Sequence, residues 1–339
     1  MTGIAAGFMF AAGAGILLSL AFGADPAARP TRELLIVANK GDHSISRVDP
    51  VSGREIDRIQ ESGVTGHEVA VSPDGQTAWV PIYGDSGVGQ PGSDGQTLDV
   101  IDLVSGRRTA TVRLPRPVRP HCAVFGPDGM LYVSNELTDS IAVIDPQARR
   151  IVGTIPTGQP ESHMLAITRD GKRAYTSNVH AGSVSAIDLG LKKVVAIIPV
   201  ARVAQRISIT PDDRYVFTAD QTSPRLAVID AATNTLKTWI SLPGIGFGTC
   251  PTPDGRYLIV LLTGMSKVGV VDLQSMSLAR TIDVPKAPQE VLVRPDGQVA
   301  YISCDVSQKV AALNLSTWSV EKLIDVGPGA DGLAWAAGR

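Results

Sequence analysis

Aromatic side chains are scarce, at 5% of the chain. A stacking platform for nucleic-acid bases is therefore not expected. A charge of one sign is also missing. Lys and Arg number 31 against 33 Asp and Glu, for a net charge of −2. The two signs are interspersed, so no basic stripe offers itself to a phosphate backbone. Cysteine appears three times, as Cys122, Cys250 and Cys304. An odd, unpatterned set does not read as a disulfide framework. Cys250 is expected to be a buried small hydrophobe. The strings GxSxG, HExxH, a P-loop and CxxCH are absent in usable context. Common serine hydrolases, zincins, nucleotide enzymes and c-haem proteins lose support accordingly. Long apolar runs are confined to the N-terminus, where Ile4–Phe22 is nearly all apolar or Gly/Ala and no charge precedes Asp25. Ala21 and Gly23 supply small residues at −3 and −1 of a cleavage point. An export signal over residues 1–24 is expected, with an uncleaved membrane anchor as the alternative. Residues 25–33 then form a linker, and the mature chain is placed in the periplasm or outside the cell.

What the rest of the chain does have is a repeat. A strand-closing dipeptide recurs as Val48-Asp49, Ile101-Asp102, Ile144-Asp145, Ile187-Asp188, Ile229-Asp230, Val271-Asp272 and Leu313-Asn314. The Asp/Asn positions are spaced by 53, 43, 43, 42, 42 and 42 residues. A second anchor, PDG or a near relative, places an Asp at 74, 128, 170, 212, 254 and 296. Four short strands in a period near 42 spell a β-propeller and not a helical solenoid. Within one unit, HMLAIT (163–168) is strand a, AYTSN (174–178) strand b, SVSAID (183–188) strand c and VVAIIPV (194–200) strand d. The β-branched and aromatic enrichment supports this. The recurring Asp residues are read as turn caps, since Asp bonds its own backbone two residues on.

The chain starts out of phase. LLIVAN (34–39), SISRVD (44–49) and EIDRIQ (55–60) are strands b, c and d with no strand a. GLAWAAG (332–338) is a strand a with nothing after it. The ends are expected to complete one blade and close the ring, which removes open sheet edges. The predicted fold is all-β: residues 34–339 form one seven-bladed propeller of four-stranded antiparallel blades.

LYVSN (131–135), SIAVID (140–145) and TIPTG (154–158) resemble the YVTN-type repeat of bacterial seven-bladed propellers, and the likeness spans residues 34–338. Related sequences occur in propeller lactonases, in lactonizing enzymes and in the methylamine dehydrogenase heavy chain. The resemblance implies the fold and allows any of these activities, because one fold hosts many functions.

Histidine is the departure from regularity. Seven residues before the turn Asp, consecutive repeats carry His67, His121 and His163, three of the five His in the chain. The remaining repeats carry Gln205, Phe247, Gln289 and, by looser alignment, Ala330. One residue later come Glu68, Cys122, Met164, Arg206, Gly248, Glu290 and Asp331. Strand a lines the channel of a propeller, so these residues are expected to ring its mouth. Three His with an open position suit Zn or Cu better than Ca. Hence His67, His121 and His163 are metal-ligand candidates, with Glu68, Arg206 and Glu290 as catalytic candidates in proton transfer beside a developing negative charge. His43 and His180 fall in b–c loops and read as loop polarity. A Gly-rich insertion, residues 83–97 of the second unit, emerges beside His67 and is expected to lid the mouth. The expected protein is an exported propeller holding a small molecule or divalent metal, with lactonase- or lyase-like chemistry. A non-catalytic binding scaffold with a protein partner and a subunit of a redox enzyme are the alternatives. No nucleic acid and no membrane span in the mature chain are expected.

Overall fold

The computed structural model describes residues 1–2, 32–85 and 87–338. The export segment and most of the linker lie outside the described residues. Among those described, no helix is long and apolar enough to cross a membrane. Among the described residues the helical content is two single 3₁₀ turns, Glu136–Thr138 and Thr263–Met265.

Seven four-stranded antiparallel sheets form the blades. Blade 1 unites the two ends of the chain. Leu34–Asn39, Ser44–Asp49 and Arg54–Gln60 are joined by Ala330–Ala336, which pairs with the first of them from Leu34↔Ala336 to Asn39↔Ala330. Blade 2 is built from Ala70–Val71, Thr77–Gly84, Asp94–Asp102 and Arg107–Arg113. Blades 3 to 7 follow in sequence over 120–156, 162–199, 208–241, 249–283 and 288–325. Strands a of neighbouring blades touch one another around the ring. Strand d is outermost in each blade, and in Lys193–Pro199 exposed residues alternate with covered ones because successive side chains point to opposite faces of the sheet.

The turn residues behave as their chemistry requires. The Oδ1 of Asp49 accepts the N–H of Val51 at 2.9 Å, and that of Asp145 accepts those of Gln147 and Ala148, both at 2.9 Å. At the a–b turn, Gly75, Gly129, Gly171, Gly255 and Gly297 all have positive φ, which favours Gly because a side chain there is strained. Blade 5 has Asp213 in this place at φ 60°. Its carboxylate accepts the N–H of Arg169 from blade 4 at 2.9 Å, a contact Gly would not make.

The core lies between the blades. Ile36, Ile45, Val80 and Ile101 fill the seam of blades 1 and 2, and Leu98, Val133 and Ile144 that of blades 2 and 3. Leu35, Tyr301 and Val310 seal blade 7 against blade 1. Each blade thus buries both faces only when its neighbours are present. Truncating one fully buried Ile or Leu here costs about 2–5 kcal/mol.

The insertion in blade 2 differs from the expected loop. Most of it extends the sheet: strand b continues to Gly84, strand c begins at Asp94, and Ile82↔Thr97 and Gly84↔Asp94 are paired. The reason is local. A Cβ at Gly95 would stand 1.7 Å from the Ile82 carbonyl oxygen, so Gly permits the close crossing. Of the insertion's described residues, only 85 and 87–93 remain outside strands.

Candidate functional site at the channel mouth

Bulges aim the histidines. The pairing of strands a and b slips between Pro120 and Ala123 in blade 3, and between Ser162 and Met164 in blade 4. His121 and His163 sit within these slips, where a side chain is redirected out of the ladder. His67 precedes the two-residue strand Ala70–Val71 and follows the isolated bridge Gly66↔Ile82. Adjacent blades also hold one another: Ser134 Oγ takes the N–H of Cys122 at 3.0 Å and donates to the His163 carbonyl at 2.6 Å.

The three imidazoles meet. The rings of His121 and His163 lie 3.6 Å apart between centroids and are inclined by 31°. His67 approaches His121 edge-on at 5.3 Å. The Tyr83 ring completes the group, 4.8 Å from His67, 5.2 Å from His121 and 6.3 Å from His163. Behind it stands Glu136, which is 1% exposed. Its Oε2 accepts the Tyr83 hydroxyl at 2.6 Å and lies 3.3 Å from His163 Nδ1. Its Oε1 accepts the N–H of Gly89 at 3.3 Å and faces Arg119 Nη1 at 3.5 Å. Arg119 also donates to Asp94 Oδ1 and the Gln90 carbonyl, both at 2.6 Å. On the far side, Gln205 Nε2 is 3.4 Å from His163 Nε2. This network assigns the proton of neutral His163 to Nδ1 and leaves Nε2 an acceptor. His121 Nδ1 is buried without a protein partner.

Burial drives all three imidazoles toward the neutral form. His67 is pushed down to about 4. His121 is held well below the usual range by burial and by the other two imidazoles. Burial also lowers His163, against the upward pull of Glu136. Glu136 stays below the usual carboxyl value although burial opposes this, because His163 and Tyr83 bond its ionised form. Neutral imidazoles suit proton acceptance and also metal ligation. Among the described residues, no group of three or more His, Cys, Asp or Glu is disposed to hold a metal ion.

The next position of the register, occupied in blades 1, 2, 5 and 7 by Asp331, Glu68, Arg206 and Glu290, forms a second cluster. Arg206, from blade 5, reaches across the channel. Its Nη1 bonds Glu68 of blade 2 at 2.5 Å and Glu290 of blade 7 at 2.6 Å, and its Nη2 bonds Asp331 of blade 1 at 3.0 Å. The Phe247 ring lies 5.0 Å from the guanidinium carbon. Lys40 Nζ is 3.1 Å from Asp331 and 3.7 Å from Asp305. One guanidinium and Lys40 face three buried carboxyl groups, which favours the neutral form of some of them. Burial pushes Glu68 up to about 8 and Glu290 up to about 7, against the pull of Arg206. For Asp331, Arg206 and Lys40 outweigh burial and keep it low.

All six candidates named from sequence therefore stand in one neighbourhood, as an imidazole group and an ion-pair plug. His180 is half exposed and pairs with Glu161 near the insertion. Cys250 is half-buried at the edge of the core between blades 6 and 7, while Cys122 and Cys304 are buried; all three are free. Tyr83, Glu136, Arg119 and Lys40 were not singled out by sequence reasoning. A signal existed: Lys40, Tyr83, Glu136 and Asp305 share one register position, the exit of strand b, which faces the same rim as the start of strand a.

Fold and site together define a seven-bladed propeller whose channel mouth carries a buried, hydrogen-bonded cluster of titratable groups. The family described as "Lactonase, 7-bladed beta-propeller" matches residues 31–240, and the chain belongs to it. No curated protein matches the chain. Among solved structures, hydrazine synthase of Kuenenia stuttgartiensis is similar, with a TM-score of 0.73 at 20% identity over 85% of this chain and 96% of that one. A functionally unknown protein from Desulfotomaculum acetoxidans has a TM-score of 0.74 at 15% identity, covering 90% and 99%. Dihydro-heme d1 dehydrogenase NirN in complex with DHE has a TM-score of 0.67 at 15% identity, covering 91% and 77%. At these identities the likeness is one of fold.

Proposed function

We propose that the channel mouth binds a small molecule and acts on it by proton transfer, with hydrolysis of a lactone as the reaction class. The observation that carries this reading is the meeting of three neutral imidazoles from consecutive blades, backed by the Tyr83–Glu136–Arg119 network. Family membership supplies the reaction class. A neutral imidazole takes a proton from the attacking water. His163 is held in one tautomer by Glu136, and Tyr83 fixes that carboxylate. Glu68 and Glu290, raised toward neutrality, are proton donors for a leaving alkoxide. Arg206 holds these two carboxyls in place.

The export reading goes with it: the protein works in the periplasm or outside the cell, and a purified chain beginning at residue 24 or 25 supports that half.

The test is turnover of uncharged lactones by the full chain and by His121→Ala and His163→Ala, with metal content measured on protein purified without chelator. Loss of about 10²–10⁴-fold in kcat/KM is expected for each variant, the usual worth of a positioned acid or base. Turnover unchanged in both variants, or no turnover by the parent, overturns the reading. Stoichiometric Zn or Cu lost in either variant would replace imidazole base catalysis by metal chemistry.

A further inference from the structure

We infer that the channel mouth selects uncharged over anionic ligands, because each cation at it is already bonded to carboxyl groups and these groups outnumber the cations. This deepens the proposed lactone chemistry by naming its substrate class, a neutral ring without phosphate or carboxylate.

The inventory is short. The cations that act on the imidazoles are Arg206 and Lys40. Arg206 is spent on Glu68, Glu290 and Asp331, and Lys40 on Asp331 and Asp305. Arg119, on the other flank, is spent on Asp94 and Glu136 and on two carbonyls of the insertion. Four carboxyl groups thus share Arg206 and Lys40, two of them, Glu68 and Glu290, raised toward the neutral form by burial, and two share Arg119. The one buried cationic donor left without a partner is Arg206 Nε, and it belongs to a guanidinium that already bonds three carboxyl groups. An entering anion also meets Glu290, the most exposed carboxylate that Arg206 binds. To claim Arg206 it would have to leave one of these carboxylates buried and unpaired, which is strongly unfavourable.

In lactone hydrolysis the water oxygen bonds to the carbonyl carbon and the ring C–O bond breaks. The alkoxide takes one proton of the water, and the other leaves the new carboxylic acid. The substrate is neutral and the product is a hydroxycarboxylate. A mouth whose cations are already bonded to carboxyl groups binds the first better than the second, so the product acid inhibits weakly. Glu290 bonds Arg206 and burial raises it above the ordinary carboxyl value, so its ionisation adds negative charge at the mouth and discrimination against anions grows as the pH rises.

The experiment compares three probes on the full chain: a neutral six-membered lactone, the same ring bearing a carboxylate, and the ring-opened hydroxycarboxylate. Binding is read at pH 6 and pH 8.5 from the ring protons of His67, His121 and His163 by NMR, independently of turnover. The expected result is on the order of tenfold weaker binding of both anions at pH 6 and a wider gap at pH 8.5. Glu290→Gln should narrow the gap, and Asp305→Asn, outside the reacting groups, should narrow it less. Equal or tighter binding of an anion, or no binding by any probe, overturns the inference. Selective binding of the neutral ring without hydrolysis keeps the charge selection and removes the proposed reaction instead.

Discussion

At the residue scale, the channel end of the molecule is a set of titratable groups moved off their ordinary values by burial. Glu61 shows this outside the imidazole group. It lies on the link from blade 1 to blade 2, its Oε2 accepts the N–H of Gly66 at 2.7 Å, and its Oε1 has no protein partner. Burial raises it to about 7, with Asp99 and Asp42 adding to the effect. Its folded value lies above its unfolded one. The stability linked to its proton is therefore full below the unfolded value and is lost as the pH rises through about 7. Glu61→Gln removes that dependence. Between pH 5 and pH 8, urea denaturation should show the variant gaining about 1–3 kcal/mol on the parent. Parallel pH profiles would mean that Glu61 is ionised in the fold. The histidines run the other way. His67, depressed to about 4, contributes stability present above the ordinary imidazole value and lost on acidification through about 4.

At the element scale, the insertion is the one departure from the repeat, and it is tied to the site. Asp85 and Ser93 close its base: the Asp85 N–H donates to the Ser93 carbonyl at 3.2 Å, and the Ser93 N–H to Asp85 Oδ1 at 2.6 Å. Its tip reaches Glu136 through the Gly89 N–H. Arg119 clamps it by the carbonyls of Gly87 and Gln90, at 3.3 and 2.6 Å. The segment is therefore anchored to the carboxylate that also contacts His163. Arg119→Ala removes the clamp. Hydrogen exchange of 87–90 should then rise by at least about tenfold, the equivalent of losing roughly one charge-assisted hydrogen bond. Turns on the opposite face, such as 254–256, should not change. Equal exchange in parent and variant would leave the segment a passive insertion.

At the scale of the whole molecule, stability rests on closure. The strand Ala330–Ala336 supplies Leu333 and Ala330 to the seam with blade 7 and Ala334 and Ala336 to the seam with blade 2. It also carries Asp331 into the plug. Removing residues 330–339 opens two seams and leaves the edge of Leu34–Asn39 unpaired, a template for association. The truncated chain is expected to lose the parent's single cooperative transition in calorimetry and to aggregate. A transition at an unchanged temperature would show that the ring holds without its closing strand.

Much of this was legible in residues alone. The spacing of Asp49 to Asn314 determined the number of blades, because each Asp caps a turn through bonds to its own backbone. The missing strand before Leu34 and the lone strand after Ala330 determined how the ring closes, since an unpaired strand on each side has one complement. The shared offset of His67, His121 and His163 determined that they occupy one rim, because repeats of equal length superpose. Tertiary structure alone decided what those groups do to one another. That His121 and His163 stack depends on bulges that no single-strand pattern displays. That Glu136 pairs with Tyr83 and His163, and that Arg206 crosses the channel to Glu68, Glu290 and Asp331, depends on side-chain reach across blades up to 138 residues apart in sequence. Charge balance at a buried site is a property of every group that faces it, and only the closed ring brings them face to face.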